Sequence, residues 1–185
     1  MPDSLRGQLL VATPGLEDAN FFRSVVLLLE HTPDGALGVV LNRPTSGTTV
    51  DATLPAWASL AADPPLVFVG GPVQPEAAIG LGRRRDGADP DGFAPLFDDL
   101  GTVDLERAPE DVEPRVDRLR VFAGYAGWAP RQLEAELDAG GWFVVRAEPA
   151  DPWTEAPETM WRSVLRRQRG SERLFADFPL DARLN

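Results

Sequence analysis

The chain has 185 residues, a length typical of one compact domain, and 43% of them are hydrophobic. It contains no cysteine and no lysine, which excludes disulfides, thiolate chemistry, cysteine zinc sites and lysine Schiff bases. The net charge of −11 opposes binding to nucleic-acid phosphates and to anionic lipid. The sequence has neither a signal-peptide pattern nor an apolar run long enough to cross a bilayer. We therefore expect one cytoplasmic domain over residues 1–185, with no membrane partner and no sequence-specific binding to duplex DNA.

A hairpin is predicted near the N-terminus. After a first strand over residues 7–14, residues 24–30 form an apolar run without alternation, which is typical of a strand buried on both faces. Thr32-Pro33-Asp34-Gly35 is a turn signal, because proline presets φ and glycine accepts a positive φ. Residues 37–41 are a second apolar run. The pattern predicts an antiparallel hairpin over residues 24–42.

The middle of the chain has weaker signals. Residues 50–62 are predicted as a short helix despite Pro55, residues 66–69 as a strand, and residues 78–81 as another. Residues 83–118 are rich in Arg, Asp, Pro and Gly and show little periodicity. We therefore predict mostly loop there, with a strand or two.

The C-terminal third predicts two strands and two helices. Residues 119–123 and 142–147 are strand-like, and Gly124-Tyr125-Ala126-Gly127-Trp128 is interpreted as a turn between a strand and a helix. Pro130 suits the first position of that helix, and residues 157–169 suit a helix whose acids come first and whose arginines come last. Four arginines at helical spacing could form a basic face toward a partner's acids or the chain's own: Arg162, Arg166, Arg169 and Arg173.

Three segments together carry a family resemblance. They are Gly7-Gln8-Leu9-Leu10-Val11-Ala12-Thr13-Pro14 with its continuation to Asn42-Arg43-Pro44, then Gly70-Gly71-Pro72-Val73, then Gly124-Tyr125-Ala126-Gly127-Trp128. In their order and spacing the chain resembles the AlgH/YqgE family of uncharacterised bacterial proteins, and its tail resembles the actinobacterial branch. The resemblance implies an α+β fold in which helices flank a mainly antiparallel, curved or partly barrel-like sheet. It implies no established activity; the family's name comes from a proposed role in transcriptional regulation of alginate synthesis.

Arginine and asparagine side chains lie at the open end of the predicted hairpin. Arg23 and Ser24 stand at the start of its first strand, and Asn42 and Arg43 follow its second. Each guanidinium could hold a phosphate or carboxylate through two parallel hydrogen bonds, and Asn42 could orient a ligand amide. The alternatives are an ion pair of Arg23 with a nearby acid and capping of the local backbone by Asn42.

His31 is the only histidine of the chain. A single histidine does not form a metal site without several carboxylates, so no metal site is predicted. His31 could act as a general base on Ser24, but seven residues of extended strand would separate them by about 23 Å. We favour a histidine at a strand end whose ring is satisfied by the backbone. Depending on the turn, it lies opposite Leu37 or Gly38.

An aromatic pair is predicted where a strand leads into a helix. Such connections often hold ligands in open α/β sheets, and Tyr125 and Trp128 each carry a polar group on an apolar body. Gln132 and Glu134 lie on the helix that follows. The pattern indicates either a wall that stacks a planar ligand or an aromatic plug beneath the sheet.

The sequence contains no nucleotide, metal or nucleophile motif, so we assign no catalytic residue and no cofactor. Our leading hypothesis is a non-enzymatic binding or regulatory module for a small anionic molecule or a protein partner. The alternatives are a hydrolase or transferase acting on a phosphorylated or nucleotide-like substrate, and a transcription-associated regulator. The oligomeric state and the role of residues 75–118 are left open. We expect Arg23, His31, Asn42 and Tyr125 to surround one concavity.

Overall fold

The computed structural model describes residues 4–87 and 89–179 of the chain. Within these ranges ten strands join into one sheet, accompanied by four α-helices and three short 3-10 helices. The strands are β1 (Gln8–Ala12), β2 (Val25–Thr32), β3 (Gly35–Val40), β4 (Pro44–Thr49), β5 (Leu66–Val69), β6 (Val73–Arg84), β7 (Phe93–Phe97), β8 (Leu100–Val103), β9 (Val116–Trp128) and β10 (Trp142–Arg146). The α-helices are α1 (Val50–Thr53), α2 (Pro109–Val112), α3 (Gln132–Asp138) and α4 (Pro157–Arg166), and the 3-10 helices are Pro55–Leu60, Asp151–Trp153 and Ser171–Asp177.

The sheet is curved and does not close on itself. Its main path has the strand order β10-β1-β2-β3-β9-β6-β8-β7, and β5 pairs with β9 while β4 pairs with β5. Among the strands described, all pairs are antiparallel except that of β5 with β9. The predicted α+β fold with a mainly antiparallel, curved sheet and flanking helices is therefore confirmed.

Strand β2 separates two parts of the hydrophobic core, as predicted for a strand buried on both faces. Val25 and Leu27 belong to the part that also contains Trp161 of α4, whereas Val26 and Leu28 belong to the part packed against α3. All four strand residues are fully buried. The alternation of side chains along the strand thus places α4 over one face of the sheet and α3 over the other.

The predicted hairpin of β2 and β3 is confirmed, and only two residues form its turn. Because the turn is so short, His31 pairs with Ala36. The prediction that Leu37 or Gly38 lies opposite His31 was wrong, since it assumed a longer turn.

The predicted turn at residues 124–128 is wrong, because β9 continues as a strand to Trp128. Gly124 has a φ of +69°, a left-handed conformation that lets the strand bend and that other residues rarely adopt. Up to Tyr125 the strand pairs with β6, and from Ala126 onward it pairs with β3. Pairing with β3 depends on a distant part of the chain, which a local run of glycines and aromatics does not reveal.

Other helices and strands differ from the predictions mainly in where they begin and end. The strand predicted at residues 78–81 is part of the much longer β6, and the loop-rich region 83–118 contains β7, β8 and α2. The helix predicted at residues 50–62 is present as α1 followed by a 3-10 helix. Helix α3 starts after Pro130 rather than at it, and α4 ends earlier than predicted, at Arg166.

Candidate functional site

A cleft of about 510 Å³ lies between the open end of the hairpin and the start of α4. Three arginines line it, Arg23, Arg43 and Arg162, together with Asn42 and Glu158. Arg23 and Arg43 come from the chain just outside β2 and β3, whereas Arg162 comes from α4. We refer to this feature as the arginine-lined cleft.

The docking of α4 decides which of its side chains reach this cleft. The indole N–H of Trp161 donates to the carbonyl of Ala12 in β1 at 2.9 Å, which fixes the helix against the sheet. Arg162 is the next residue, so it lies at the edge of the buried face and lines the cleft. The buried face itself consists of Pro157, Met160, Trp161, Val164 and Leu165.

Arg23 has a positive backbone φ of +51°. Its guanidinium carbon lies 4.5 Å from the centroid of the Trp161 ring, and its Nη2 donates to the carbonyls of Phe178 (2.5 Å) and Pro179 (2.8 Å). Its Nε and Nη1 donors have no partner in the described part of the chain, and no carboxylate there forms an ion pair with it. Burial lowers the pKa of Arg23, and the positive charge of Arg162 lowers it further. The two arginine charges therefore repel each other.

Arg43 and Arg162 complete the positive lining. Arg43 donates through Nη1 to the carbonyl of Asn20 and through Nη2 to that of Phe22, the latter at 2.9 Å. Burial lowers the pKa of Arg43, and the carboxylate of Asp18 partly offsets this effect. Arg162 makes no hydrogen bond or ion pair with any residue in the ranges 4–87 and 89–179. The cleft thus contains N–H donors that remain available to an anion.

The side chain of Asn42 joins the ends of the two hairpin strands. Its Oδ1 accepts from the N–H of Val25 at 2.9 Å, and its Nδ2 donates to the carbonyl of Arg23 at 2.9 Å. The amide therefore positions Arg23 and is already occupied. Ser24 is fully buried and does not line the cleft, and its Oγ has no partner among the described residues.

His31 lies at the other end of the hairpin, where its ring is paired. Its Nδ1 accepts from the N–H of Leu5 at 2.9 Å, so the proton of the neutral ring lies on Nε2. Nε2 in turn donates to Oε1 of Glu134 at 3.1 Å. The ring therefore joins the segment before β1 to α3, and neither His31 nor Glu134 lines the arginine-lined cleft.

Replacing Glu134 with glutamine is expected to remove a pH-dependent part of the stability. Hydrogen bonds to its carboxylate, first from its own backbone N–H and then from His31, lower the pKa of Glu134. A lowered acid pKa contributes stability above the unfolded-state value of 4.5, and this contribution is lost as the pH falls through the folded-state value. In urea unfolding, E134Q should therefore differ from the wild type more at about pH 7 than at about pH 3. Equal differences at both pH values would contradict this prediction.

Tyr125 and Trp128 lie on opposite faces of the sheet, because three positions separate them along β9. Tyr125 packs on the α4 side of the core and Trp128 on the α3 side. The indole N–H of Trp128 donates to Oε2 of Glu136 at 2.9 Å, and Nε2 of Gln132 donates to Oε1 of the same carboxylate at 3.0 Å. The predicted aromatic pair is therefore not one wall, and neither ring lines the arginine-lined cleft.

The structure brings together only part of the predicted set. Arg23, Asn42 and Arg43 lie at one cleft, whereas His31 and Tyr125 lie elsewhere. Sequence reasoning missed Arg162 as a member of this site, because its direction depends on how α4 docks. No local sequence motif indicates how α4 packs against the sheet.

Two kinds of feature are missing from residues 4–87 and 89–179. No helix there has the length and apolar character needed to cross a bilayer. Within the same ranges, no three histidine, aspartate or glutamate side chains form a group that could hold a metal ion.

Sequence comparisons identify close bacterial relatives. A model of the AlgH-like family matches residues 9–173 of the chain. A UPF0301 protein of Streptomyces coelicolor is 52% identical over 186 residues, which cover 98% of this chain and 96% of that protein. A UPF0301 protein of Mycobacterium leprae is 45% identical over 182 residues, which cover 97% of this chain and 90% of that protein.

Two solved structures share the fold. The crystal structure of a Corynebacterium diphtheriae protein matches with a TM-score of 0.85 at 35% identity, covering 96% of this chain and 93% of that one. The solution structure of AlgH from Pseudomonas aeruginosa matches with a TM-score of 0.69 at 26% identity, covering 98% of both chains. On the family match and the relatives together, the chain belongs to the AlgH-like (UPF0301) family.

Proposed function

We propose that the chain acts as a single-domain, non-enzymatic binding module of the cytoplasm, and that its arginine-lined cleft holds a small anion. The observation that carries this proposal is the convergence of Arg23, Arg43 and Arg162 in one cleft of a protein whose net charge is −11. Each of these guanidinium groups keeps N–H donors that no described residue accepts. Such donors suit an anionic ligand.

The chemistry of the cleft favours a phosphate or carboxylate group. The planar donor fork of arginine matches two oxygens of such a group at once. Each hydrogen bond to a charged group contributes about 1.5–3 kcal/mol. Burial, and after it the repulsion of Arg162, lowers the pKa of Arg23, and a bound anion would offset that repulsion.

A binding role accounts for this cleft without catalysis. Its titratable lining consists of the three arginines and Glu158. The hydroxyl of Thr159 donates to the carbonyl of Ala156 at 3.1 Å, so it is already engaged. The described lining therefore contains no nucleophilic side chain hydrogen-bonded to a general base, the arrangement used in covalent catalysis.

A protein partner with an acidic segment is the second candidate, because exposed aromatic rings border the arginines. Phe22 lines the cleft and is 47% exposed. Phe178, whose carbonyl accepts from Arg23, is 37% exposed. Aromatic and arginine side chains are enriched in protein interfaces. An acidic peptide would then occupy the cleft in place of a small anion.

Replacing Arg162 with glutamine is expected to weaken the binding of inorganic phosphate or citrate by about 10-fold or more, because one charged donor group is lost. Titration of nitrogen-15-labelled protein at low ionic strength, followed by NMR, measures the affinity through amide shifts around the cleft. The matched control is R169Q, which removes the same charge from an exposed position after α4 and outside the cleft.

Equal weakening in R162Q and R169Q would mean that the anions respond only to net charge, and the proposal would then be wrong. It would also be wrong if neither probe produced saturable shifts at the cleft. An acidic peptide that binds the wild type but not R162Q, while both small anions fail to bind, would establish the protein partner instead.

A further inference from the structure

A second cleft, of about 320 Å³, lies where β6, β9 and the 3-10 helix Asp151–Trp153 meet. Arg83, Arg118 and Asp99 are its charged lining, and Trp153 supplies an aromatic wall. It shares no residue with the arginine-lined cleft. Its volume is at the lower end of the roughly 300–1,000 Å³ of ligand clefts, so its ligand is small.

Two arginines oppose each other across neighbouring strands in this second cleft. Arg83 in β6 and Arg118 in β9 are direct cross-strand partners, an arrangement in which like charges repel. Asp117 neutralises Arg83 by accepting two hydrogen bonds, from Nε at 2.8 Å and from Nη2 at 2.9 Å. The guanidinium carbon of Arg118 lies 5.9 Å from the centroid of the Trp153 ring, and Arg118 makes no hydrogen bond or ion pair within residues 4–87 and 89–179. The N–H donors of Arg118 are therefore available to a ligand.

An acid of the same cleft also lacks a partner. Oδ1 of Asp99 is buried and accepts no hydrogen bond from the described part of the chain. The charge of Asp99 raises the pKa of Arg83, after the larger effect of the hydrogen bond to Asp117, so the two side chains are near each other. Even so, Asp99 forms no ion pair with either arginine of the cleft. Because Oδ1 is covered by protein, a ligand in the cleft reaches the carboxylate through Oδ2, which accepts no hydrogen bond from the described residues and is free to accept one from a ligand.

We propose that the second cleft binds a free α-amino acid, with the ligand's carboxylate on Arg118 and its ammonium group on Asp99. A zwitterion satisfies both charges at once, because its two charged groups are attached to the same carbon. Since Arg83 and Asp117 neutralise each other, a simple anion would be repelled by Asp99 and a simple cation by Arg118. The inference goes beyond the anion site proposed above and does not depend on it, since the two clefts share no residue.

The indole N–H of Trp153 is a reporter for this cleft. It is buried and has no acceptor among the described residues, so a change in its surroundings is expected to move its NMR signal. Trp153 is one of five tryptophans, and the variant W153F assigns its signal by deletion. Each of the twenty standard amino acids is added singly to nitrogen-15-labelled wild-type protein. We expect a saturable shift of this signal with at least one of them.

Chemically modified ligands test whether binding requires both charged groups of the amino acid. The N-acetyl derivative of the binding amino acid keeps the carboxylate but loses the ammonium group, and its methyl ester keeps the ammonium group but loses the carboxylate. We expect each derivative to bind about 10-fold more weakly or worse. If the N-acetyl derivative bound as tightly as the amino acid, the cleft would be a simple anion site and the proposal would be overturned.

The protein variants D99N and R118Q are expected to weaken binding of the same amino acid by about 10-fold or more, since each removes one charged contact. The matched controls are D98N, which changes the exposed neighbouring carboxylate, and R169Q, and both should bind as the wild type does. R118K keeps the charge and should retain part of the affinity, which separates loss of the contact from loss of the fold. Wild-type affinity in D99N and R118Q, or no shift with any of the twenty amino acids, would overturn the proposal.

Discussion

Replacing Arg120 with methionine is expected to lower the free energy of unfolding by about 3–5 kcal/mol, because a buried carbonyl group left without a donor costs about 1–3 kcal/mol. Arg120 lies in β9 and is only 1% exposed. All five of its N–H donors are used: Nε donates to the carbonyl of Pro152, Nη1 to those of Ala62 and Pro64, and Nη2 to those of Asp63 and Thr154. These bonds join the segment before β5 to the segment before α4. Methionine fills similar space but leaves all five carbonyl groups without this donor.

Arg120 remains charged although it is buried. Burial, with a smaller effect of the positive charge of Arg118, lowers the pKa of Arg120 to about 10. The ring of Phe68 lies against it, with its centroid 4.4 Å from the guanidinium carbon. At neutral pH the side chain is therefore still protonated and donates all of its hydrogen bonds.

Urea unfolding of R120M and R118M measures this effect against a matched control. Arg118 lies two positions earlier on the same strand, and its guanidinium makes no hydrogen bond or ion pair in the described part of the chain, although the ring of Trp153 lies near it. Its loss should cost about 1 kcal/mol or less. Lysine has three donors instead of five, so R120K should fall between the wild type and R120M. If R118M lost as much stability as R120M, the five carbonyl bonds would not be the source of the stability.

Replacing Glu136 with alanine is expected to lower the free energy of unfolding by about 2–4 kcal/mol. Oε2 of Glu136 accepts from two buried indole groups, that of Trp128 at 2.9 Å and that of Trp142 at 2.8 Å. Oε1 accepts from Gln132 at 3.0 Å. Without the carboxylate, both indole N–H groups lose their acceptor, and each buried group left unpaired costs about 1–3 kcal/mol.

Urea unfolding again gives the measurement, and NMR of the indole N–H groups shows its cause. In E136A the signals of Trp128 and Trp142 should move, while those of the other three tryptophans stay in place. D138A is the matched control, because Asp138 is exposed at the end of the same helix. A stability loss in D138A equal to that in E136A would show that the helix, rather than the indole hydrogen bonds, responds to the substitution.

The elements that local patterns could predict are those whose partners lie nearby in the chain. The hairpin of β2 and β3 follows from two apolar runs and a turn between them, and it is present as predicted. The run from Gly124 to Trp128 has the composition of a turn, yet it is strand because β3 pairs with it. Its partner lies in a distant part of the chain, so short-range reasoning fails there.

The same distinction holds for the arginine-lined cleft. The sequence could predict that three of its residues lie together, because the two ends of a hairpin are close in space: Arg23, Asn42 and Arg43. Arg162 could not be predicted there, because the position of α4 is set by long-range packing such as the bond from Trp161 to Ala12. The prediction that Tyr125 lies at this cleft failed for a different reason. Its segment was predicted as a turn, whereas in β9 successive side chains point to alternate faces of the sheet.

The place of β9 at the centre of the sheet also constrains the order in which the protein is assembled during synthesis. Residues 36–38 of β3 pair with residues 126–128, and β1 pairs with β10, which is made later still. The hairpin therefore emerges from the ribosome long before the strands that cover its edges have been synthesised. Until β9 and β10 emerge, the backbone edges of β3 and β1 are unpaired, and such edges can pair with other chains. The topology thus makes the nascent chain most exposed to aggregation in the interval before its last third is translated.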